Sequence, residues 1–402
     1  MKITVICHEI PLPPNHGGRV DMWRRLLAFA RLGVQLQIIS WSYEPPEETI
    51  IREIQQTAPS FINIPIKRQL GYRLRRLPNI LQGSLYAALR WPEKTLRREI
   101  VAAVQEFNPD CLWLDGFHGG LLACYLEERL GVPFFYRSQN IEHVYLDKLR
   151  KSSRGLRSWL ALAAGRFRLR AFEKKLIETS LCVYDISLDD MAFWQRSCKG
   201  EIRWLPPLLD WNGLCLRENH PGIFECDVLF LGNLNTENNI FALRWFLEEV
   251  VPQLLRTLPQ CRIWVAGSKP VPQVRAMCER VKEVSLLVDP EDAVALLRSS
   301  RVLVNPAQRC SGVNLKSLDM LAACRPVVST SQGVTGLPRE VKELFFINDS
   351  PEAFAKAILG LLENGAWHPP DIWWLSGQFG LARIESLVSE MRERLAVWRH
   401  CQ

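Results

Sequence analysis

The amino-terminal part of the chain changes its hydrophobic period twice. Residues 2–7 (KITVIC) form an unbroken apolar run that is typical of a buried strand, and residues 8–19 follow as a loop rich in proline and glycine. Across residues 20–32 the apolar positions recur at helical spacing, and residues 34–40 (VQLQIIS) return to the strand pattern. Strand, loop, helix and strand in succession predict a βαβ unit and therefore a parallel sheet.

The same succession recurs in both halves of the chain. In the first half, the pattern predicts further strands at residues 111–114, 133–136 and 180–185. In the second half, it predicts strands at residues 227–231, 262–266, 284–288, 301–305 and 326–330. Because loops and helical segments separate these strands, both halves are predicted to be α/β with parallel sheets.

Residues 204–221 separate the two halves. This segment contains several prolines and little periodicity, which is typical of a linker. With 402 residues, the chain is also too long for one ordinary domain core. We therefore predict two Rossmann-like domains, residues 1–205 and 206–372. A C-terminal helix at about residues 373–402 is expected to pack back on the first domain.

Composition excludes several classes of protein. The chain has no run of about 18 uncharged apolar residues, so we expect no membrane-spanning helix. Residues 1–7 are interpreted as a first buried strand and not as a signal peptide. The 12 cysteines include no Cys-x-x-Cys pair, which favours free thiols in a reducing cytoplasm. Neither Cys nor His occurs at metal-ligand spacing, so no metal site is expected.

Positive charge is concentrated in the first half of the chain. The net charge is +7, and residues 1–205 hold 30 Lys and Arg against 21 Asp and Glu. Residues 67–98 and 148–175 are the most basic stretches, and both are interleaved with Leu, Trp, Tyr and Phe. They fit either solvated helical faces or a surface attracted to an anionic membrane or a phosphorylated acceptor. Nucleic acid is not an expected partner, because no nucleic-acid-binding motif accompanies them.

Two glycine-rich loops of the first half could carry chemistry, since ligands bind beyond the carboxyl ends of parallel strands. In residues 15–19 (NHGGR), Gly17 and Gly18 let the backbone approach a phosphate or sugar just before a helix. In residues 115–120 (DGFHGG), His118 could bind a substrate hydroxyl or act as an acid or base. A plain turn and a helix cap are the structural alternatives.

Two further loops are polar after an apolar strand. Residues 136–143 suit the floor of a polar pocket or a hydrogen-bonded turn. Residues 309–320 run from a loop into a helix, where the backbone amides of residues 311–314 would point at a diphosphate. Lys316 and Asp319 share one face of that helix and could bind phosphate and ribose, or form a surface ion pair.

The second half resembles a known family of enzymes. Residues 227–264 and 311–337 (SGVNLKSLDMLAACRPVVSTSQGVTGL) are similar to the donor domain of GT-B glycosyltransferases, in particular family 4. The first half resembles them more loosely, through its Gly-Gly loop and through residues 137–143 (RSQNIEH), which are similar to an Arg-x-His-Asn-x-Glu stretch. The resemblance implies two Rossmann-like domains that face each other across a cleft.

The resemblance also implies a retaining, metal-independent transfer of a sugar from a nucleotide-diphosphate sugar, without a cofactor. The acceptor would be a glycan, a lipid-linked molecule or a small molecule. The implied catalytic residues are His118, Gly17, Gly18 and Lys316. The implied donor-binding residues are Arg19, Gly232, Asn233, Ser311, Gly312, Val313, Asn314, Lys316 and Asp319. The acceptor-side candidates are His16, Arg137, Asn140 and Glu142. The expected location is the cytoplasm, at the inner face of the membrane if the basic stretches bind lipid.

The chain departs from the family pattern at several positions. Where the family often has two glutamates separated by seven residues, Asp319 stands for the second and Ser311 occupies the place of the first. Gln139 replaces a histidine of the family's first-half stretch. Two alternatives stay open, a nucleotide-sugar 2-epimerase on the same scaffold and a catalytically degenerate partner protein. The departures at Ser311 and Asp319 favour the degenerate partner, and the loss of the first carboxylate weighs against the epimerase.

Overall fold

The computed structural model describes residues 1–152, 155–209, 226–309, 312–365 and 367–401. The chain forms two compact units. Unit 1 comprises Met1–Pro206 together with Leu381–Gln402, and unit 2 comprises Pro207–Gly380. Most of the predicted linker lies outside the described residues.

In its described residues, unit 1 contains a seven-stranded sheet with the order β3-β2-β1-β4-β5-β6-β7, and every pair is parallel. The strands are β1 Lys2–Cys7, β2 Gln35–Ser42, β3 Ser60–Pro65, β4 Cys111–Asp115, β5 Phe134–Ser138, β6 Val183–Asp185 and β7 Ile202–Trp204. Strands β4, β5 and β6 are buried over their whole length, as expected for parallel strands with helices on both faces.

Helices cover the sheet of unit 1. They are α1 Gly17–Arg31, α2 Glu48–Thr57, α3 Leu70–Leu74, α4 Leu85–Leu89, α5 Lys94–Phe107, α6 Gly120–Leu130, α7 Glu142–Ser152, α8 Leu156–Arg166, α9 Leu169–Thr179 and α10 Leu188–Ser197. Helix α1 begins at Gly17, earlier than the start predicted at residue 20. Gly17, Gly18 and Arg19 therefore belong to its first turn and not to a preceding loop.

Unit 2 repeats this architecture with a six-stranded parallel sheet in its described residues, in the order β10-β9-β8-β11-β12-β13. The strands are β8 Cys226–Leu231, β9 Ile263–Gly267, β10 Val284–Val288, β11 Ser300–Asn305, β12 Val327–Ser329 and β13 Phe346–Ile347. The helices are α11 Glu237–Trp245, α12 Val251–Thr257, α13 Pro272–Glu279, α14 Ala293–Arg298, α15 Leu315–Ala322, α16 Arg339–Lys342, α17 Pro351–Asn364 and α18 Ile372–Phe379.

The chain returns to unit 1 only at Leu381, and not at residue 373 as the helical spacing predicts. The cause is Gly380, which ends α18 in an extended conformation and would place a side-chain Cβ 2.4 Å from the Ser376 carbonyl oxygen. The last helix, α19 (Leu381–His400), then packs on unit 1. Tyr184 donates a hydrogen bond of 2.9 Å to Glu390 of this helix.

Each sheet has one place where neighbouring strands lead to opposite sides. In unit 1, β1 is followed by β2 on one side, whereas β4 is followed by β5 on the other. In unit 2, β8 and β11 stand in the same relation. Such topological switch points leave a crevice at the carboxyl ends of the two strands, where ligands bind in open α/β sheets. We call these places the β1/β4 crevice and the β8/β11 crevice.

Candidate functional site

Lys316 lies in the β8/β11 crevice. It belongs to the first turn of α15, which follows β11, and its Nζ is 3.3 Å from Oδ1 of Asn239 on α11. The same ammonium group lies 5.0 Å from the ring centroid of Phe230, which is on β8. A side chain that follows β11 therefore contacts both β8 and the helix that follows β8, across the switch point.

The turn before α15 requires a glycine. Gly312 has a φ of 65°, in the left-handed region that side chains disfavour. Val313 is buried, and Asn314 stands at the N-cap of α15 without a side-chain cap hydrogen bond. The amides at this helix start are therefore not capped by Asn314, which leaves them suited to an anion. Ser311, also predicted to bind the donor, lies outside the described residues.

Buried hydrogen bonds fix the start of α15 above the sheet. Ser317 donates a hydrogen bond of 2.6 Å to the carbonyl oxygen of Gly333 and accepts one of 2.7 Å from Nδ2 of Asn305 at the end of β11. Both side chains are fully buried. They hold the helix that carries Lys316 and the partly exposed Asp319, which lies one turn deeper on the same face.

The loop after β8 forms the other wall of this crevice. The carbonyl oxygen of Asn233 accepts a hydrogen bond of 2.9 Å from Asn239, so this loop positions the residue that contacts Lys316. Gly232 packs so closely on the end of β9 that a Cβ on Gly267 would lie 1.7 Å from its oxygen. The two glycines let the loops after β8 and β9 approach each other.

Arg309 is a further cation at this edge that was not predicted as a site residue. Its guanidinium lies 4.5 Å from the ring centroid of Phe241 on α11, and the side chain is exposed. A basic residue in the loop after a buried strand is the signal that could have identified it. Arg309 and Lys316 thus supply two positive charges after β11.

In unit 1, two histidines meet across the β1/β4 crevice. The register pairs Cys7 with Asp115, so the chain leaves the two strands side by side. His8 and His118 then stack with ring centroids 5.2 Å apart. The edge of the Tyr86 ring approaches His118 at 5.7 Å.

His118 is held as a neutral imidazole. Burial lowers its pKa well below the usual range, and the positive charge of Arg90 and the neighbouring His8 add to this effect. Its Nδ1 is buried and has no hydrogen-bond partner among the residues that the structure describes. A neutral ring with a ring nitrogen left unpaired can bind a hydroxyl group or transfer a proton.

Glu9 organises the loop between β1 and α1. Its carboxylate contacts Nε2 of His8 at 3.3 Å, Nε2 of His16 at 3.0 Å and Nη2 of Arg19 at 2.7 Å. Burial opposes ionisation, but the hydrogen bonds from His16, His8 and Arg19 outweigh it and hold the pKa of Glu9 far below its usual range. The charge of Arg19 is therefore balanced within this loop, although it is predicted to face the donor.

Gly18, in the first turn of α1, is less constrained than the Gly-Gly pattern suggests. A Cβ on Gly18 would make only ordinary contacts, the nearest being 3.5 Å from Oε1 of Gln139. His16, the N-cap of α1, makes no side-chain cap hydrogen bond. The first turn of α1 is therefore the uncapped start of a 15-residue helix.

Arg137, predicted on the acceptor side, is fully buried beneath the crevice. Its Nη2 lies 3.2 Å from Asp21, which is also paired with Arg25 at 2.7 Å. Arg25 contacts Asp115 in turn, so two guanidinium groups and two carboxylates form one buried network. Arg137 has no exposed surface that could contact an acceptor. Its role is structural, because removing one member of such a network leaves a buried charge uncompensated.

Asn140 and Glu142, the other acceptor-side candidates, contact each other through a hydrogen bond of 3.2 Å from Nδ2 to Oε1. Burial and the neighbouring Glu173 raise the pKa of Glu142 to about 8, so its carboxyl group is largely protonated at neutral pH. Glu173, which was not predicted, accepts hydrogen bonds from the backbone amides of Glu142 at 2.7 Å and His143 at 3.2 Å. It thereby caps the start of α7.

The described residues contain neither a candidate metal site nor a candidate membrane-spanning helix. No group of three or more His, Cys, Asp or Glu side chains converges there in a way that could hold a metal ion. In the same residues, no helix has both the length and the apolar character to cross a membrane.

Comparison with known proteins relates the chain to several others. Residues 225–364 match the family model Glycosyl transferases group 1. A Klebsiella pneumoniae protein, described as an uncharacterized 44.6 kDa protein in cps region, is 25% identical over 90% of this chain and 91% of its own. Sucrose-phosphate synthase from Thermosynechococcus elongatus superposes with a TM-score of 0.66 at 14% identity and 99% coverage of both chains. Anabaena HepE in complex with UDP gives 0.66 at 12% identity, covering 98% of this chain and 100% of its own.

Proposed function

Because the chain is a glycosyltransferase of the GT-B fold with a glycosyl transferases group 1 domain, we propose that it uses a nucleotide-diphosphate sugar as donor, retains the anomeric configuration and needs no metal ion. Unit 2 holds the donor and unit 1 holds the acceptor. The observation that carries this proposal is the position of Lys316, an ammonium group at the switch point of the second sheet.

The β8/β11 crevice suits a nucleoside diphosphate. Solved structures of HepE contain UDP and UDP-glucose, which makes this ligand class a reasonable occupant here. The diphosphate would lie against Lys316 and the amides of residues 312–314, with Arg309 as a second cation. Asp319, one turn deeper, would accept hydrogen bonds from the ribose hydroxyls.

The chemistry follows from where charge develops. The bond between the anomeric carbon and the diphosphate oxygen breaks, and the acceptor oxygen bonds to that carbon on the same face. Negative charge grows on the departing diphosphate, where Lys316 and the uncapped amides of α15 stabilise it electrostatically. The acceptor proton leaves with the nucleotide diphosphate. His118 and Glu142 are the groups of unit 1 that can bind sugar hydroxyls as neutral hydrogen-bond partners.

A panel of nucleotide-diphosphate sugars tests this proposal. The protein is incubated with each donor and a metal chelator, and thermal stabilisation identifies the ligands that bind, because binding raises stability by mass action. Transfer or slow hydrolysis with retained configuration supports the proposal. An isomerised sugar without acceptor would indicate the 2-epimerase alternative, and binding or no binding without any turnover would indicate a degenerate partner protein.

Replacing Asp319 with alanine should weaken nucleotide binding by about tenfold, because a hydrogen bond to a charged group contributes about 1.5–3 kcal/mol. Isothermal titration with the nucleoside diphosphate measures the effect. Asp319→Glu, which restores the commoner family residue, serves as the conservative variant and should retain binding. If Asp319→Ala binds with unchanged affinity, the carboxylate is only a surface charge of α15.

Unit 1 also offers a surface that fits an anionic membrane. Seven large apolar side chains are exposed in two short segments: Leu74, Leu77, Leu81, Leu156, Trp159, Leu160 and Phe167. Helix α8 contacts α4, which in turn contacts the turn Leu77–Leu81, so these segments lie on neighbouring elements. Exposed basic residues, including Arg157, Arg168 and Arg170, are interleaved with them. We propose that this apolar and basic surface binds the inner face of the cytoplasmic membrane, where a lipid-linked acceptor would be found.

Co-sedimentation with vesicles tests the membrane surface. Each basic residue near an anionic bilayer contributes about 1 kcal/mol, so we expect strong recovery on vesicles rich in anionic lipid, weak recovery on neutral vesicles and a steady loss as salt is added. Leu156→Ser with Leu160→Ser should reduce binding at least about tenfold, because two leucines would no longer enter the bilayer. Val397→Ser, at an equally exposed apolar position of α19, is the control. Equal recovery on both vesicle types, insensitive to salt, would contradict this expectation.

A further inference from the structure

A groove lies between α5 and α6 of unit 1. Its volume is about 470 Å³, and four of its lining side chains are basic: Lys94, Arg97, Arg98 and Arg129. No acidic side chain lines it. None of its lining residues belongs to the β1/β4 crevice or to the apolar and basic surface around α8.

The groove is elongated. On α5 its lining extends from Lys94 to Gln105 at helical spacing, which is one face of three turns and about 16 Å long. Val101 and Ala102, both small, lie in the middle of this face. Tyr125 and Arg129 of α6 form the facing wall. The two small side chains of α5, with the amide of Gln105 at one end of the groove, suit sugar rings better than a compact ion.

The four cations are not neutralised by the protein. Within the residues that the structure describes, Lys94, Arg97, Arg98 and Arg129 form no ion pair and no side-chain hydrogen bond. Nε of Arg97 is buried and still has no partner. Arg97 is half-buried, whereas Lys94, Arg98 and Arg129 are exposed. A buried donor atom without a partner, beside three exposed cations, favours an anionic ligand that supplies the acceptor.

Aromatic rings hold two of these cations in place. The guanidinium of Arg97 lies 4.7 Å from the ring centroid of Trp91 and 5.6 Å from that of Tyr125. Arg129 lies 5.6 Å from the same tyrosine ring. These contacts orient the guanidinium groups without cancelling their charge, so less conformational entropy is lost when an anion binds.

We propose that this groove binds a segment of an acidic glycan, whose carboxylate or phosphate groups pair with the four cations. The identification of that glycan as the acceptor rests on the proposed function, but the binding itself does not. Because α5 leads into β4 and α6 leads out of it, both helices run antiparallel to the strands. The groove therefore runs along the sheet from its carboxyl edge, where the reacting end of an acceptor would lie.

Titration with oligogalacturonate, a carboxylated oligosaccharide, tests the groove. A neutral malto-oligosaccharide of the same length is the comparison ligand, and we expect it to bind at least about tenfold more weakly, since it cannot form charge-assisted hydrogen bonds. Lys94→Gln with Arg98→Gln should weaken oligogalacturonate binding by about tenfold or more. Both side chains are exposed, so the thermal melting of the variant should match that of the wild type.

The matched control removes two cations elsewhere in unit 1. Arg196→Gln with Lys199→Gln changes the net charge equally at exposed positions of α10 and the residues after it, and it should leave binding unchanged. Equal losses of oligogalacturonate binding in both variants, or no loss in either, would overturn the proposal. A groove variant that loses binding to anionic vesicles but keeps binding to the oligosaccharide would also overturn it. Nucleoside-diphosphate binding is measured on the same samples. If nucleoside-diphosphate binding is absent while oligogalacturonate binds, the proposed donor site is wrong, but the proposed glycan-binding groove is not.

Discussion

Replacing Lys316 with alanine is expected to weaken nucleoside-diphosphate binding at least about tenfold, because a charge-assisted contact to phosphate contributes about 1.5–3 kcal/mol. The ammonium group lies at the β8/β11 switch point, next to Asn239 and above the ring of Phe230. Isothermal titration of UDP and other nucleoside diphosphates measures the loss directly. Catalysis should fall further than binding, since the charge on the diphosphate is larger in the transition state than in the bound donor.

Two control variants separate charge from packing. Lys356→Ala removes an exposed lysine of α17 in the same unit and should leave nucleotide affinity unchanged. Lys316→Arg keeps the positive charge and should retain more affinity than Lys316→Ala. Wild-type affinity in a correctly folded Lys316→Ala variant would remove this residue from the donor site, and Arg309 would become the cation to test next.

The fold could be predicted from the sequence because its signals are local. Alternating strand and helix periods, with glycine-rich loops between them, indicate a parallel sheet in each half, and the predicted GT-B fold is confirmed. The same reasoning located His118 and Lys316 at the carboxyl edges of their sheets, since each follows a buried strand. That Gly312 binds the donor stays a prediction, and its positive φ explains why a glycine stands at this position.

The partners of charged side chains could not be predicted in this way. Arg137 follows the predicted strand at residues 133–136, as an acceptor-binding residue would, yet its carboxylate partner Asp21 is 116 positions away in the sequence. Only in the folded sheet do α1 and β5 come together, so that Arg137 forms a buried ion pair with Asp21 instead of contacting an acceptor. Glu9 is similar, because its loop gives no sign that one carboxylate contacts His8, His16 and Arg19 together.

The end of unit 2 shows a different limit of sequence patterns. Helical spacing continues from residue 373 to residue 402, and it predicts one helix that belongs to the first domain. The structure instead contains two helices, Ile372–Phe379 and Leu381–His400, which lie in different units. Periodicity reports which side of a helix is apolar, but it does not report which core that side packs against.

Replacing His118 with alanine should reduce kcat at least about tenfold, because the ring would no longer bind and position a sugar hydroxyl at the reacting centre. The neutral ring stacks on His8 at 5.2 Å, and its Nδ1 has no hydrogen-bond partner among the described residues. Affinity for the nucleoside diphosphate should change little, because His118 belongs to unit 1 and Lys316 to unit 2. Steady-state kinetics with a fixed acceptor, together with nucleotide titration, separates the two effects.

The pH dependence of the wild type adds a second test of His118. Burial lowers the pKa of His118. The ring is therefore already neutral across the pH range in which histidines usually titrate, and it gains a proton only at more acidic pH. We therefore expect no inflection in kcat from this residue near pH 6.5, the ordinary histidine value. His400→Ala, an exposed histidine of α19, is the matched control and should have wild-type kcat. If His118→Ala retains wild-type kcat, or if it loses nucleotide affinity in proportion to activity, His118 is a structural residue of the β1/β4 crevice and the reacting groups lie elsewhere.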